Sequence, residues 1–193
     1  MQPALSMAFK DWAVICAALE SGRQTLIVRK GGIHEGQAGF RVAHREFWLF
    51  PTYMHEAAGG LVEDAAPLIR QVEAHRPPAG ELRLSVAAAV TDVFELADET
   101  VLAGLSGMHL WSHRTLSERF HYCRPGLFVL IVRVYRTMPA IVLPDSPHFA
   151  GCRSWVELPT AVPTAHLAPV LADTEFTCRR LAIQAALIGA RSA

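Results

Sequence analysis

The sequence predicts an α+β fold built on a mixed, mostly antiparallel sheet that could curl into a partial barrel, with three or four helices. Strand-like and helix-like segments follow one another irregularly along the 193 residues, whereas a doubly wound fold would alternate the two regularly. Hydrophobic residues make up 51% of the chain and charged residues 19%. This composition is sufficient for one packed core, so we expect a single domain over residues 1–193.

The first part of the chain is predicted to form strands. The run Asp11–Leu19 is apolar on both alternations, and Thr25–Arg29 is rich in β-branched residues. Because Ser21-Gly22 lies between them, the two runs predict a β-hairpin. Glu46–Phe50 predicts a further short strand. Residues 1–7 precede this pattern, and we expect them to be flexible or a mis-called start.

Helices and strands follow in mixed order over the rest of the chain. The strict alternation of Leu82–Phe94 and the apolar run Leu127–Arg136 predict strands, and Ser154–Leu158 predicts a short one. The prolines within residues 159–172 predict an extended connector to a C-terminal helix. Capping residues predict helices from Asp64 to about His75, from Asp98 to Leu105, from Thr115 to before Pro125, and from Asp173 to near Gly189.

The charge is balanced overall but unevenly distributed. Lys and Arg total 18, as do Asp and Glu, which argues against binding nucleic acid or membrane through bulk charge. Residues 21–48 nevertheless carry five cations against two anions, and residues 109–136 carry five against one. These two basic stretches would form one basic face if the fold brings them together.

The sequence also predicts the cellular compartment. Met1–Asp11 lacks the apolar stretch of a signal peptide, and the apolar run Leu127–Val132 is far too short to cross a bilayer. The four cysteines are scattered, without a C-x-x-C pair. We therefore expect a cytoplasmic protein with reduced thiols and no membrane partner.

Five segments, taken together, resemble a known family. Their order and spacing are similar to those of the bacterial family called domain of unknown function 1802, over about residues 8–189. The resemblance implies membership but no activity, cofactor or catalytic residue. The segments are Phe9-Lys10-Asp11-Trp12, Arg29-Lys30-Gly31-Gly32-Ile33-His34-Glu35, Phe47-Trp48-Leu49-Phe50-Pro51-Thr52, Arg133-Val134-Tyr135 and Gly151-Cys152-Arg153-Ser154-Trp155.

Two looser likenesses concern the fold and the opening segment. A small curled sheet is similar, at the level of fold alone, to PUA-like RNA-binding domains. The opening hairpin ending in Arg29-Lys30 is similar to the start of Nudix hydrolases. Nudix chemistry requires a helix with clustered carboxylates to hold a divalent metal, and Glu63-Asp64 stands without such a cluster. Nudix activity is therefore not predicted.

The segment Arg29–Glu35 is the strongest candidate for an anion-binding loop. Two adjacent cations close a predicted strand, and two glycines let backbone N–H groups approach a ligand closely. We expect Arg119 and Arg133 to face this loop; the alternative is a solvated turn with surface ion pairs. The predicted partner is an anionic small molecule, nucleotide or nucleic acid, without a cofactor. The candidate ligand-binding residues are Arg29, Lys30, Gly31, Gly32, His34, Glu35, Thr52, Arg119, Arg133, Arg153 and Trp155.

The main alternative is an enzyme of the hydrolase or nuclease class. Its candidate catalytic residues are His34, Glu35 and Cys152, since the cation Arg153 beside Cys152 would lower the pKa of that thiol. No metal site is predicted, because the spacing of the nearby histidines and cysteine fits no zinc module and the capping box starts its helix after two of them. Those residues are His109, His113, His121 and Cys123.

Aromatic side chains near the basic stretches could provide a base-stacking platform, although aromatic residues more often belong to a core. The candidates are Trp48, Trp111, Trp155, Tyr53, Tyr122 and Tyr135. A third functional alternative is a protein that acts through a surface contact. It predicts an exposed apolar patch in place of a cleft.

Overall fold

The computed structural model describes residues 1–30, 42–53, 58–151 and 153–189. Within these ranges one sheet of seven strands is accompanied by four helices of eight residues or more and one of four residues. The predicted α+β class with a mostly antiparallel sheet is confirmed, and the sheet is not closed into a barrel. In chain order the elements are β1 (Ala4–Trp12), α1 (Ala13–Glu20), β2 (Leu26–Arg29), β3 (Glu46–Thr52), α2 (Ala66–Ala74), β4 (Glu81–Leu96), α3 (Val101–Gly104), α4 (His113–His121), β5 (Leu127–Pro144), β6 (Trp155–Pro163), β7 (Ala168–Pro169) and α5 (Asp173–Gly189).

The strands are ordered β2-β5-β4-β3-β1-β6, and β7 pairs with β5 at Tyr135 and Arg136. All pairs are antiparallel except β1 with β3. Parallel pairing places the carboxyl ends of β1 and β3 at the same end of the sheet, with Asp11 beside Pro51 and Trp12 beside Thr52. This strand end positions the candidate site.

Two hydrophobic clusters cover the two faces of the sheet. Successive residues of a strand point to opposite faces, so Phe47 and Leu49 join the larger cluster, to which the helices contribute. Trp48 and Phe50 join the smaller cluster on the other face, with Phe149. These side chains are at most 7% exposed, and each contributes about 1.5–3 kcal/mol by burial.

The predicted opening hairpin is wrong. β1 ends at Trp12, and most of the run Asp11–Leu19 forms helix α1, while β2 pairs with β5. A short, fully buried apolar run has no periodicity that separates a strand from a buried helix. Three alanines within α1 (Ala13–Glu20) favour the helix.

Most other elements lie where the sequence predicts them, with shifted ends. β4 covers the predicted strand Leu82–Phe94, and α5 has the predicted bounds. β3 continues through Pro51 to Thr52, and β1 already begins at Ala4. The proline-containing segment 159–172 holds the end of β6 and all of β7, so part of the expected connector belongs to the sheet.

The helical part of the described ranges contains no segment with both the length and the hydropathy needed to span a bilayer.

Candidate functional site

Asp11 lies at the point where β1 gives way to α1. Its side chain is 1% exposed, and its Oδ1 accepts a hydrogen bond of 2.9 Å from the backbone N–H of Trp12. Its Oδ2 is buried and has no hydrogen-bond partner within the described ranges. Burial raises the pKa of Asp11, and this effect exceeds the lowering by Arg29, by the Trp12 N–H and by Arg119.

Arg29, the last residue of β2, is the first cation at this carboxylate. Its Nη1 lies 4.0 Å from Asp11 Oδ1, and its Nη2 donates a 3.0 Å hydrogen bond to the Ser154 hydroxyl. The guanidinium group lies 4.6 Å from the centre of the Phe9 ring. Its side chain remains 20% exposed, so it meets solvent.

Arg119, on helix α4, interacts electrostatically with the same carboxylate. Its guanidinium group stacks 3.7 Å above the Trp111 ring and 5.7 Å from the Trp12 ring, and these two indoles meet edge to face at 4.7 Å. Burial lowers the pKa of Arg119 to about 10; Asp11 opposes this shift and Arg29 adds to it. Arg119 is therefore still charged at neutral pH.

Lys30 holds the end of α4 beside β2. Its ammonium group donates to the backbone carbonyls of Phe120 at 2.9 Å, Gly126 at 2.8 Å and Arg124. These three bonds use every N–H of the ammonium group, and a cation is favourable at a helix C-terminus. Lys30 thus fixes the turn that carries Arg119 next to Arg29, and the two basic stretches of the sequence meet here.

Lys10 has a similar role on the other side of the centre. Its ammonium group donates to the carbonyls of Phe149 and, at 3.0 Å, of Gly151. The Lys10 backbone N–H also bonds to the Ser154 carbonyl at 2.9 Å. The two lysines therefore position two loops, and Ser154 is held where Arg29 reaches it.

Two guanidinium groups interact electrostatically with one carboxylate in this centre, which is defined by Asp11, Arg29 and Arg119. Within the described part of the chain, these three residues leave one formal positive charge without a matching carboxylate. Both guanidinium groups lie against aromatic rings, and Arg guanidinium groups bind phosphate or carboxylate oxygens in a bidentate manner. The arrangement is therefore suited to an added anion.

The other predicted residues fall into separate environments. Thr52 belongs to the centre, because its hydroxyl donates a 3.0 Å hydrogen bond to the Asp11 carbonyl. Trp155 packs edge to face on Phe9 at 4.8 Å, and Arg153 is exposed. Arg133 does not join them, because it is paired with Asp173 at 2.6 Å.

The position of Arg133 follows from the strand register. Arg29 lies beside Phe128 in the β2–β5 pair, and Arg133 is five residues further along β5, a span of about 16 Å. Its guanidinium group also stacks 4.9 Å from the Phe176 ring at the start of α5. Arg133 therefore anchors α5 and lies apart from Arg29.

Several predicted residues lie outside the described residues. These are Gly31, Gly32, His34, Glu35 and Cys152. The anion-binding and catalytic roles assigned to them stay predictions.

Sequence reasoning did not identify Asp11, the residue on which the centre is built. Lys10-Asp11 is a charged pair inside a long apolar run, and buried charges are rare unless paired. That pattern was the available signal for a buried ionic centre.

The described ranges hold no cluster of three or more His, Cys, Asp or Glu side chains that could bind a metal. His109 lies outside α4, and burial lowers the pKa of its ring to about 4. His121 instead lies 2.7 Å from the Glu99 carboxylate. Neither histidine therefore belongs to a metal-binding cluster of described residues.

The fold and the centre define an α+β protein with an arginine-rich, tryptophan-lined centre at the end of a parallel strand pair. The chain belongs to the family described as domain of unknown function DUF1802, whose model matches residues 8–182. This confirms the resemblance seen in the five sequence segments. No curated protein sequence matches the chain.

Crystal structures of the ASCH protein from Zymomonas mobilis are similar to this chain. A Tyr-to-Phe variant has 14% identity and a TM-score of 0.44, covering 79% of this chain and 88% of its own. A Ser-to-Ala variant has 13% identity and a TM-score of 0.43, covering 95% and 99%. The unsubstituted protein has 13% identity and a TM-score of 0.40, covering 91% and 92%. These likenesses carry no functional residue over to this chain.

Proposed function

We propose that this protein binds the phosphate group of a nucleotide or of a single nucleic-acid strand at the centre formed by Asp11, Arg29 and Arg119. The observation that carries the proposal is that one buried carboxylate lies 4.0 Å from the Arg29 guanidinium group and also interacts electrostatically with that of Arg119. A phosphate would compensate the remaining positive charge and accept hydrogen bonds from both forks.

The indole rings make a nucleotide a better ligand than a simple anion. Trp12 is partly exposed and lies beside Arg119. Bases stack on aromatic rings with about 1–3 kcal/mol per base, independently of sequence. A nucleotide would therefore combine phosphate binding at the arginines with stacking on this ring.

Binding is tested with labelled single-stranded RNA and DNA of twelve nucleotides, and with adenosine monophosphate, by fluorescence anisotropy and calorimetry. Arg29→Lys and Arg119→Lys keep the charge but lose the bidentate fork. We expect each to weaken binding about tenfold or more, as for a charge-assisted hydrogen bond.

The matched control is Arg114→Lys, which lies on the same helix α4. Arg114 is 85% exposed and pairs with Glu118 at 2.8 Å, away from the centre. Binding should be unchanged in this variant. If none of the three probes binds, or if Arg114→Lys weakens binding as much as Arg119→Lys, the proposal is wrong.

The enzyme alternative stays a prediction. Its candidate residues His34, Glu35 and Cys152 lie outside the described residues, so no distance between them supports a reaction. The geometry of the described residues supports binding.

A further inference from the structure

A cleft of about 360 Å³ opens between α1, α2 and strands β3, β4 and β5. It is lined by Cys16 and Ala17 on α1, but not by Asp11, Arg29 or Arg119. The cleft is therefore distinct from the arginine centre. Its volume is within the range of small-molecule sites, about 300–1,000 Å³.

The floor of the cleft is an interruption in the pairing of β4 with β5. Leu84 pairs with Ile141 and Val86 pairs with Arg136, so the single residue Ser85 lies opposite the four residues 137–140. All five of these residues line the cleft. An irregularity of this kind takes backbone N–H and C=O groups out of the ladder and redirects side chains, and it is frequent beside binding sites.

The walls of the cleft are mainly apolar. Leu49, Val72 and Val86 are at most 9% exposed and present their edges to the cleft. Met138 is 81% exposed at the same cleft. An apolar ligand body that covers Met138 would remove this side chain from water, at about 25 cal/mol per Å² of apolar surface.

The polar groups of the lining include a guanidinium group and a carboxylate. Arg83 is the guanidinium group at the cleft, and its pair with Glu81 is 3.4 Å long with side chains 46% and 40% exposed, a weak surface contact. Among the described residues of the lining, Glu20 is the single carboxylate. The hydroxyl groups of Tyr53, Ser85 and Thr137 and the amide of Gln71 can each donate or accept a hydrogen bond. Arg83 is thus the group of the lining at which an anionic part of a ligand can bind.

We propose that this cleft binds a small amphipathic carboxylate. The carboxylate lies on the Arg83 guanidinium group, and the apolar body lies against Val72, Val86 and Met138. One guanidinium fork matches one carboxylate in a bidentate pair. A water molecule in the liquid occupies about 30 Å³, so the cleft volume of about 360 Å³ corresponds to about a dozen non-hydrogen atoms.

The probe for this site is 4-phenylbutyrate, and the readout is NMR of protein labelled with ¹³C at the methionine methyl groups. The chain has five methionines, and among the described ones Met138 lines the cleft. We expect a saturable shift of the Met138 signal, while the Met108 signal stays in place. The neutral amide of the same probe should bind about tenfold more weakly, because it loses the charge-assisted pair.

Two variants separate the charge from the cavity. Arg83→Gln should weaken binding of 4-phenylbutyrate about tenfold without changing binding of the amide. Ala17→Leu places a larger side chain in the cleft and should weaken both probes. The matched control is Arg70→Gln, an exposed arginine of α2 outside the lining, which should change neither.

Three results of these binding measurements would contradict the proposal or part of it. An unmoved Met138 signal at millimolar 4-phenylbutyrate would overturn the proposal. Equal binding of the acid and the amide, or unchanged binding in Arg83→Gln, would show that the site does not select a carboxylate. Loss of anion binding at Arg29 and Arg119 leaves this proposal unaffected, since the two sites share none of these residues.

Discussion

Asp11 illustrates how a single residue can be retained at an energetic cost. Burial raises the pKa of its carboxyl, so the ionised form is less favourable in the folded chain than in the unfolded one. Both neighbouring arginines lower the pKa, but by less than burial raises it. Perturbed ionisable groups of this kind are concentrated at functional sites.

The first prediction concerns the stability of Asp11→Asn. The pKa of Asp11 is raised in the folded state. At pH values between its pKa in the unfolded chain and its pKa in the folded protein, the native protein therefore binds more protons than the unfolded chain. Stability contributed by this group is therefore lost as pH rises through that window. Asparagine removes the cost, so the variant should melt higher than wild type at pH 7, with about 2–4 °C in Tm for each kcal/mol gained. The difference in Tm between Asp11→Asn and wild type should shrink as the pH falls towards 4.

Asp92 is a control, because its pKa is shifted in the opposite direction to that of Asp11. Its carboxylate accepts hydrogen bonds from Arg180 at 2.6 and 2.9 Å and from Gln184 at 2.9 Å, and the Arg180 hydrogen bond is the main cause of its lowered pKa. Asp92→Asn should therefore lower Tm at pH 7, and its effect should fade as pH falls. Thermal melts of both variants between pH 4 and 7 measure this contrast. Destabilisation by Asp11→Asn at pH 7 would contradict our account of the buried carboxylate.

At the scale of elements, the position of α4 depends on a residue outside it. Lys30 follows β2 and bonds to three carbonyls at and beyond the end of α4. The N-terminus of the same helix is capped locally, because the Ser112 hydroxyl accepts the Thr115 N–H at 3.2 Å. The sequence predicts this helix from Thr115, whereas it begins at His113, one residue after the actual cap.

A second prediction follows for Lys30→Met, which keeps the length of the side chain and removes its three donors. We expect a loss of about 2 kcal/mol in the free energy of unfolding, because the charge-assisted hydrogen bonds are lost. The three carbonyl groups that Lys30 contacts must then form hydrogen bonds with water instead. Anion binding should also weaken, because Arg119 is no longer held beside Arg29. Urea unfolding and anisotropy titrations measure the two effects.

Arg124→Met is the matched control, because Arg124 is an exposed cation of the same turn. It should leave both stability and binding close to wild type. Equal losses of stability and binding in the two variants would mean that removal of a positive charge from this region causes them. The anchoring of α4 by Lys30 would then not be the cause.

At the scale of the whole molecule, a neutral chain holds a local cationic centre. The two basic stretches meet through the pairing of β2 with β5 and through Lys30. Some other arginines are paired with carboxylates, as Arg133 is with Asp173 and Arg180 with Asp92. Under our proposal, the phosphate of a nucleic acid is held by Arg29 and Arg119.

The third prediction is a shallow salt dependence. For one phosphate held by both arginines on a single strand, the slope of log K against log salt should be about −0.7. Titrations of twelve-nucleotide RNA at several salt concentrations measure the slope. A slope steeper than about −4 would show that an extended basic surface, and not two arginines, binds the strand.

Local patterns were enough to predict the class of the fold and its longest elements. The alternation in β4, the apolar run in β5 and the caps of α5 act within a few residues, so they are readable before folding. The sequence also indicated Arg29, Arg119 and Thr52 as candidates for one site. It misassigned α1, because a fully buried run carries no period.

Only the tertiary structure decided which charges meet. Asp11 and Thr52 adjoin because β1 and β3 pair in parallel, and Arg119 joins them because Lys30 anchors α4. Arg133, predicted to face the same ligand, is held elsewhere by Asp173. Contacts between distant segments depend on strand register and loop anchoring, and neither leaves a local periodic trace in the sequence.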